Sequence, residues 1–283
     1  MISRRKFFSN AAVAAGAAAL GAATRSAQGA EPVGQPPDNP ETIKGYAQSD
    51  QQDYPPGEPG KDYTPVITPN GSTLPYKVVG GIKVFHLIAE EVDHEFAPGL
   101  RARCWGFNGQ VHGPTIEAVE GDRVRIYVTN KLPENTSIHW HGVLVPSGMD
   151  GVGGLSQKTI GPGETYKYEF KLRQHGTFMY HSHSDEMTQI ALGMMGMFII
   201  HPRNPTGPRA DRDFALMASE WRIDVGTMRP NPIEMTDFNV FTFNARTFPG
   251  TAPLRRSGKN PVWEFKPHGA SSDPSSRVPL EDH

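Results

Sequence analysis

The sequence predicts an all-β protein, a Greek-key β-sandwich, and three observations carry this prediction. Short runs that alternate polar and β-branched residues recur between turn signals, most clearly at 123–130. The chain has 30 Gly and 26 Pro among its 283 residues, which suits short strands joined by turns. No stretch has the periodicity of a long amphipathic helix. Regular short strands with turn signals are typical of sandwiches and barrels.

The first thirty residues predict an export signal. Arg4 and Arg5 precede an apolar, Ala- and Gly-rich stretch at 11–23, and small residues follow at 24–30. An apolar run of about a dozen residues is shorter than the roughly 20 that span a bilayer. We therefore expect no membrane span. The arginine pair resembles the twin-arginine export signal of bacteria, so we expect a periplasmic or secreted protein.

The rest of the chain divides by composition. Residues 31–75 are rich in Pro, Gly, Asp and Gln and predict an extended arm or linker. Residues 76–205 contain the regular strand signals and predict one sandwich-sized domain. Its expected strands lie at 83–92, 115–119, 123–130, 137–145, 164–172, 176–183 and 196–201.

Charge and cysteine content exclude several classes of function. A formal net charge of −2 gives no electrostatic reason to expect a nucleic-acid partner. The only cysteine is Cys104, which excludes an internal disulfide and any site built from several Cys ligands. No ligand spacing surrounds Cys104, so we expect it to pack in the core.

Two histidine pairs are the strongest chemical signal. His139 and His141 flank a tryptophan, and His181 and His183 flank a serine. On a strand, residues two apart point to the same face. Two such strands side by side would offer four imidazoles to copper, zinc, iron or nickel. The alternative is ordinary surface histidine. Five other histidines are scattered singly and are expected on the surface or satisfied in the core: His86, His94, His112, His175 and His201.

These pairs belong to a longer set of motifs. His-Trp-His-Gly stands at 139–142, Gly-Met-Asp-Gly at 148–151 and Gly-Pro-Gly-Glu-Thr at 161–165. His-Gly-Thr-Phe-Met-Tyr-His-Ser-His follows at 175–183. Over about residues 78–205 this pattern resembles the first cupredoxin domain of the multicopper oxidases. The resemblance implies a cupredoxin-like Greek-key sandwich and copper as the metal.

The resemblance also implies roles for single residues. His139 corresponds to a ligand of the type 2 copper. Asp150 corresponds to an acid that helps to supply protons, although an aspartate before a glycine is also an ordinary turn residue. Asp185 and Glu186 could support the ligands in a similar way. The ligands implied for the paired type 3 coppers are His141, His181 and His183.

The same family needs parts that the chain does not show. A type 1 copper is bound by two His and one Cys thiolate, and it feeds electrons to the trinuclear site where dioxygen is reduced. No cysteine here is flanked by histidines, because Cys104 precedes both pairs. The resemblance therefore implies half of a trinuclear site, no type 1 site and an unknown reducing substrate, phenolic or metallic. The short span after the first domain resembles two-domain family members, which often form trimers.

Residues 206–254 resemble the start of a second cupredoxin domain, and 255–283 change abruptly in character. Synonymous codons for 259–283 exist whose one-nucleotide-shifted reading is RIRYGNLSPMEHHPIHLHGYRLKI, which contains the ligand motif H-P-x-H-x-H-G expected there. We therefore predict a frameshift near residues 254–259 and a disordered, out-of-frame tail; a genuine lineage-specific terminus is the alternative. The nucleotide sequence tests this, since codons incompatible with that reading would refute it.

Three functions remain open at this point. The chain could be the front portion of an exported, laccase-like or metal-oxidising copper oxidase that is inactive alone. It could instead be a non-catalytic copper-binding protein. A nonfunctional fragment with exposed apolar surface is the third reading. A methionine-rich Cu(I) site could involve Met179, Met187, Met194, Met195 and Met197. Core packing is instead expected for the three that precede a buried strand: Met194, Met195 and Met197.

Overall fold

The computed structural model describes residues 53–234 and 236–254. The predicted export signal at 1–30, residues 31–52 of the predicted arm and the predicted tail at 255–283 lie outside the described residues. In chain order the strands are β1 (Val66–Ile67), β2 (Lys77–Val79), β3 (Ile82–Ala97), β4 (Leu100–Phe107), β5 (Ile116–Val119), β6 (Arg123–Asn130), β7 (Ile138–His141), β8 (Thr165–Lys171), β9 (Gly176–Ser182), β10 (Met195–His201), β11 (Asp213–Phe214), β12 (Ala218–Trp221) and β13 (Val240–Phe243). A short helix, α1, spans Glu186–Ala191.

Two sheets form the sandwich. One has the strand order β2-β3-β6-β8, and β4 pairs with the second half of β3. The other has the order β5-β10-β9-β7. The β3–β6 and β5–β10 pairs are parallel, whereas β9 runs antiparallel to both β7 and β10. The all-β prediction is confirmed, and the sheet order places the two histidine-bearing strands side by side.

The core fills the space between the sheets. Alternation is strictest on β6, where every second residue is buried, as the period-2 pattern predicts. Trp140 and Tyr180 from one sheet meet Tyr168 from the other, and all three are fully buried. The Trp140 and Tyr168 rings meet edge to face with centroids 5.1 Å apart. The side chains on the inward face of β7 and β9 therefore pack in the core.

Residues 53–75 and 206–254 cover parts of the sandwich. β1 pairs in parallel with β11, and Val66 packs with Met197 on the outer side of β10. β12 and β13 form an antiparallel pair on which Phe241 and Phe243 are exposed. The two phenylalanines are two residues apart on β13 and therefore share the exposed face of this small sheet.

A buried ion pair holds one end of the sandwich. The Lys83 Nζ atom lies 2.8 Å from the Asp122 carboxylate, and both side chains are fully buried. Arg203 reaches the other Asp122 oxygen at 2.7 Å. The Gly57 backbone N–H also donates to Asp122, over 3.0 Å. This carboxylate thus ties the segment before β1 to the sandwich.

The structure differs from the expected strands in several places. β4 was not predicted; its residues are buried against the second half of β3, which extends to Ala97 rather than to residue 92. The strand expected at 137–145 ends at His141, because Gly142 turns the chain with a φ of 79°. Residues 213–221 contain two short strands, β11 and β12, rather than one continuous strand. Within the described residues, no helix is both long and apolar enough to cross a membrane.

Candidate metal centre

The alternation of side chains along β7 determines which face of the sheet carries its two histidines. Ile138 and Trp140 point inward and are fully buried. His139 and His141 alternate with them and therefore stand on the opposite face of the sheet. The bulk of Trp140 in the core fixes which face the two imidazoles take.

β9 repeats the arrangement beside β7. Tyr180 is buried in the core, so His181 lies on the outer face, where it is only 3% exposed. The register pairs His139 directly with His181, as it pairs Trp140 with Tyr180. One set of backbone hydrogen bonds thus aligns both the core aromatics and the imidazoles.

The rings meet at the end of these strands. One ligand nitrogen from each of His139, His141 and His181 lies within 4.8 Å of the others. His183 follows the end of β9, and its ring centroid is 5.3 Å from that of His139. The structure thus brings three of the four expected histidines into one cluster and places the fourth at its margin.

Asp150 orients His139. The His139 Nδ1 atom lies 2.7 Å from the Asp150 backbone oxygen and 3.3 Å from its carboxylate. Because a carbonyl oxygen only accepts, Nδ1 carries the proton and Nε2 keeps the lone pair that a metal needs. The sequence motif pointed to Asp150, but its backbone makes the shorter contact.

His181 is held in the same way. Its Nδ1 lies 2.8 Å from the Ser182 backbone oxygen, which leaves Nε2 as the ligand atom. Burial lowers the pKa of His181, so the ring remains neutral near pH 7. Glu186 lies 3.7 Å from His181 and 3.7 Å from His183, whereas Asp185 is exposed and begins α1.

This donor set fits a copper ion. The His141 Nδ1 and His181 Nε2 atoms are 3.2 Å apart. Two nitrogens that each lie about 2.0 Å from one ion at a tetrahedral angle are about 3.3 Å apart. Neutral imidazoles suit copper, and no nearby thiolate favours another metal among the described residues. His141 and His181 therefore match the spacing of two ligands to one ion.

A buried amide supports the second histidine pair, and sequence reasoning missed it. Gln189 on α1 is 1% exposed. Its Oε1 accepts hydrogen bonds from Thr136, at 2.8 Å, and from Ser182, and its Nε2 donates to the Asn135 oxygen over 2.8 Å. Gln189 thereby ties the chain between His181 and His183 to the segment before β7. A lone glutamine in a short helix carries no sequence signal for this role.

The other five histidines among the described residues have other partners. His86 bonds Thr129, His94 bonds the Ala245 oxygen, His112 contacts Met217 and Ser219, His175 lies near Glu120, and His201 bonds Glu117. These five histidines stay outside the cluster of His139, His141 and His181. Cys104 is fully buried beside Phe96 and Trp221, and burial raises the pKa of its thiol to about 12. This apolar environment indicates that Cys104 packs in the core.

Comparison with known proteins shows that this domain is similar to copper oxidases and copper resistance proteins. Residues 89–205 match the family model described as multicopper oxidase. Over 123 residues the chain is 46% identical to copper resistance protein A of Escherichia coli, a match that covers 44% of this chain and 20% of that protein. The chain spans about a fifth of the length of the curated relatives it matches.

Solved structures give the same fold. A multi-copper oxidase from Pseudomonas thermotolerans aligns with a TM-score of 0.55 and 35% identity, over 58% of this chain and 42% of that one. The blue copper oxidase from Nitrosomonas europaea aligns with a TM-score of 0.55 and 34% identity, over 61% of this chain and 56% of that one. The sandwich is therefore cupredoxin-like, as predicted.

Proposed function

Because residues 89–205 match the family model described as multicopper oxidase, we propose that this chain holds half of a trinuclear copper site. Such oxidases bind copper and use dioxygen as electron acceptor. His139 is the proposed type 2 ligand. The proposed type 3 ligands are His141, His181 and His183. The observation that carries the proposal is the register that pairs His139 with His181 and gathers three ligand nitrogens within 4.8 Å.

Asp150 and Glu186 are the proposed proton-handling groups. The Asp150 carboxylate is 3.3 Å from the His139 ring and its side chain is 38% exposed, so it can exchange protons with water. Glu186 is 46% exposed and faces His181 and His183. Each carboxylate thus connects the imidazole cluster to solvent.

We propose that this chain alone does not oxidise a substrate. A type 1 copper needs a thiolate, and Cys104 is a buried thiol among apolar side chains, away from the imidazole cluster. A family member with a type 1 copper would take electrons from a phenolic substrate or a metal ion. Assembly as a homotrimer is proposed only for a protein with a complete second domain.

The second candidate function is copper binding without catalysis. The buried state of Cys104 favours it, because the imidazole cluster could retain copper without an electron-donating site. Both candidates place the protein outside the cytoplasm. The support for this location is the arginine pair and short apolar segment at 1–30.

The test is copper retention by the full chain. The purified protein is loaded with Cu(II), desalted and analysed for bound copper and its electron paramagnetic resonance spectrum. The double variant His181→Ala/His183→Ala should lose specific retention. The matched control is His86→Ala/His175→Ala, which removes two imidazoles outside the cluster and should retain copper.

Two further results would overturn parts of the proposal. Unchanged copper content in His181→Ala/His183→Ala, with the fold verified by circular dichroism, would refute the ligand assignment. Oxidation of a phenolic dye by the loaded chain, or a blue copper–thiolate absorption band, would contradict the absence of a type 1 site. Copper retention without dye oxidation is the expected result.

A further inference from the structure

The outer face of the β2-β3-β6-β8 sheet carries a cavity of about 570 Å³. Val84 and Tyr127 line it, and both alternate along their strands with buried residues. The imidazole cluster stands on the outer face of the other sheet, so the cavity lies on the opposite side of the sandwich. A volume of this size is usual for sites that bind small molecules.

One wall of the cavity is apolar and aromatic. Tyr76, Val79, Val84 and Tyr127 contribute to it. Each of these four side chains is at least partly exposed, and Val79 is 55% exposed. Tyrosine rings pack well against a further aromatic ring in edge-to-face or offset contacts. This wall therefore favours a ligand with a flat, apolar ring.

Cationic side chains stand around that wall. Lys77 lines the cavity itself. Arg125 on β6 is the register partner of Val84. Lys167 on β8 is the register partner of Tyr127. Because register partners lie side by side on the same face of a sheet, three cations flank the apolar wall.

Three of the cations on this face share one carboxylate. The Glu169 carboxylate lies 2.7 Å from the Arg125 Nε atom and 3.7 Å from the Lys167 Nζ atom. The Arg123 guanidinium is 3.3 Å from the same group. One negative charge cannot neutralise three positive charges, and the Lys77 ammonium adds a fourth. This part of the surface is thus positive although the whole chain has a formal net charge of −2, and it favours an anionic ligand.

Two hydroxyl groups also line the cavity, two residues further along β6 and β8. They belong to Thr129 and Thr165, and their Oγ1 atoms are 2.8 Å apart. A hydroxyl group both donates and accepts hydrogen bonds. This pair can therefore bind a neutral polar substituent, such as a hydroxyl on an aromatic ring.

We propose that this cavity binds an aromatic carboxylate. The ring packs against Val84 and Tyr127, and the carboxylate faces the cations around them. The combination decides the class of ligand, because an uncharged ring would leave the cations unused and a hydrophilic anion would leave the apolar wall unused. The site shares no side chain with the proposed copper ligands and goes beyond the proposed function.

4-Hydroxybenzoate is the probe, because it combines a ring, a carboxylate and a hydroxyl. It is titrated calorimetrically into the full chain at low ionic strength, in parallel with phenol, which has no charge, and acetate, which has no ring. 4-Hydroxybenzoate should bind at least about fivefold more tightly than phenol, since a partly exposed ion pair contributes up to about that factor. Acetate should bind more weakly than both. Added salt should weaken the binding of 4-hydroxybenzoate and leave that of phenol unchanged.

Two variants locate the site. Lys77→Gln/Lys167→Gln removes two exposed cations and should weaken 4-hydroxybenzoate binding at least about fivefold. Val84→Trp fills the cavity from its outward-facing wall and should abolish binding. The matched control for the first variant is Lys61→Gln/Lys131→Gln, which removes the same charge from exposed lysines that do not line the cavity. Circular dichroism verifies the fold of each variant.

Several results would overturn the inference. One is no binding of 4-hydroxybenzoate at millimolar concentration. Another is equal weakening in the control variant, which would mean that the overall charge and not this cavity binds the acid. Loss of binding in His181→Ala/His183→Ala would place the acid at the imidazole cluster instead. Binding of polyglutamate that 4-hydroxybenzoate does not displace would assign the cations to an acidic protein partner. Binding that is weakened by the two cavity variants and kept in the histidine variant is the expected result.

Discussion

The His139 ring lies closer to the backbone of Asp150 than to its carboxylate: Nδ1 is 2.7 Å from the carbonyl oxygen and 3.3 Å from the side-chain oxygen. The ring tautomer that frees Nε2 is therefore set by a group that no side-chain substitution removes. Loss of an outer partner of a metal ligand commonly costs about 10–100-fold in metal affinity. For His139 the main partner is a backbone carbonyl oxygen, that of Asp150.

Asp150→Asn should consequently keep the copper stoichiometry and weaken Cu(II) binding by less than about tenfold. Competition with a chelator of known affinity measures this, with Asp185→Asn, an exposed carboxylate nearby in sequence, as the control. Complete loss of copper would mean that the carboxylate, not the carbonyl, positions the ring.

Gly151 brings that carbonyl to the ring. A Cβ atom at Gly151 would lie 1.8 Å from the Ile138 oxygen, and its φ is 82°. Gly154 has a similar φ of 81°, but a Cβ atom there would meet no other atom within 4 Å. Both glycines thus have a left-handed backbone that would strain any other residue, but only at Gly151 would a Cβ atom also clash with a neighbour.

Gly154→Ala should cost about 1–2 kcal/mol from its left-handed backbone and leave copper binding intact. Gly151→Ala should cost about 1–3 kcal/mol more through overpacking and weaken copper binding, because Asp150 is displaced from His139. Urea unfolding and copper titration measure both effects. Equal behaviour of the two variants would show that the close approach to Ile138 is unimportant.

The stability of the fold depends on the negative charge of Asp122, which pairs with the buried Lys83. Removing one partner of a buried ion pair costs about 3–5 kcal/mol, because the other charge is left uncompensated. Asp122→Asn should lower the free energy of unfolding by that amount, and adding Lys83→Met should recover part of it. Glu169→Gln, in a partly exposed pair with Arg125, should cost less than about 1 kcal/mol. A small effect at Asp122 would indicate that Lys83 loses its proton instead.

Acid should destabilise the fold through His112. Burial lowers the pKa of His112 from 6.5 to about 3, and burial also lowers the pKa of His94. Between these values the unfolded chain binds a proton that folded His112 does not, so stability falls as the pH drops from about 6.5 towards 3. Each such group contributes at most about 1.4 kcal/mol per pH unit.

The variant His112→Gln should flatten this dependence. Its free energy of unfolding, measured by urea titration between about pH 6 and 4, should fall less steeply than that of the unmodified chain, by up to about 1.4 kcal/mol per pH unit. His86→Gln is the control, because its side chain is exposed. An unchanged slope in His112→Gln would mean that His112 is protonated in the folded protein.

The sandwich and the shared face of each histidine pair could be predicted because both depend on the two-residue alternation of side chains along one strand. Alternation along β6 and the spacing of His139 and His141 are properties of single strands. β4 forms a hairpin with the adjacent second half of β3, but it escaped prediction because its last four residues are all buried and show no period-2 alternation.

Other contacts could not be predicted because they join residues that are far apart in the chain. Gln189 reaches Asn135 across 54 positions, and Lys83 reaches Asp122 through the fold of the sheet. The half-buried state of Met195 was also not predictable. It depends on where the cover provided by residues near Ala215 ends, and that is decided by tertiary packing.

The pairing of Trp140 with Tyr180 and of His139 with His181 uses one ladder of hydrogen bonds. A slip of either strand by one residue would turn its imidazoles inward and its aromatics outward. Copper that binds only the correct alignment favours it over slipped alternatives, by about 2.7 kcal/mol at a hundredfold excess over the dissociation constant. Under the proposed copper binding, the metal would therefore stabilise the correct strand pairing relative to the slipped alternatives.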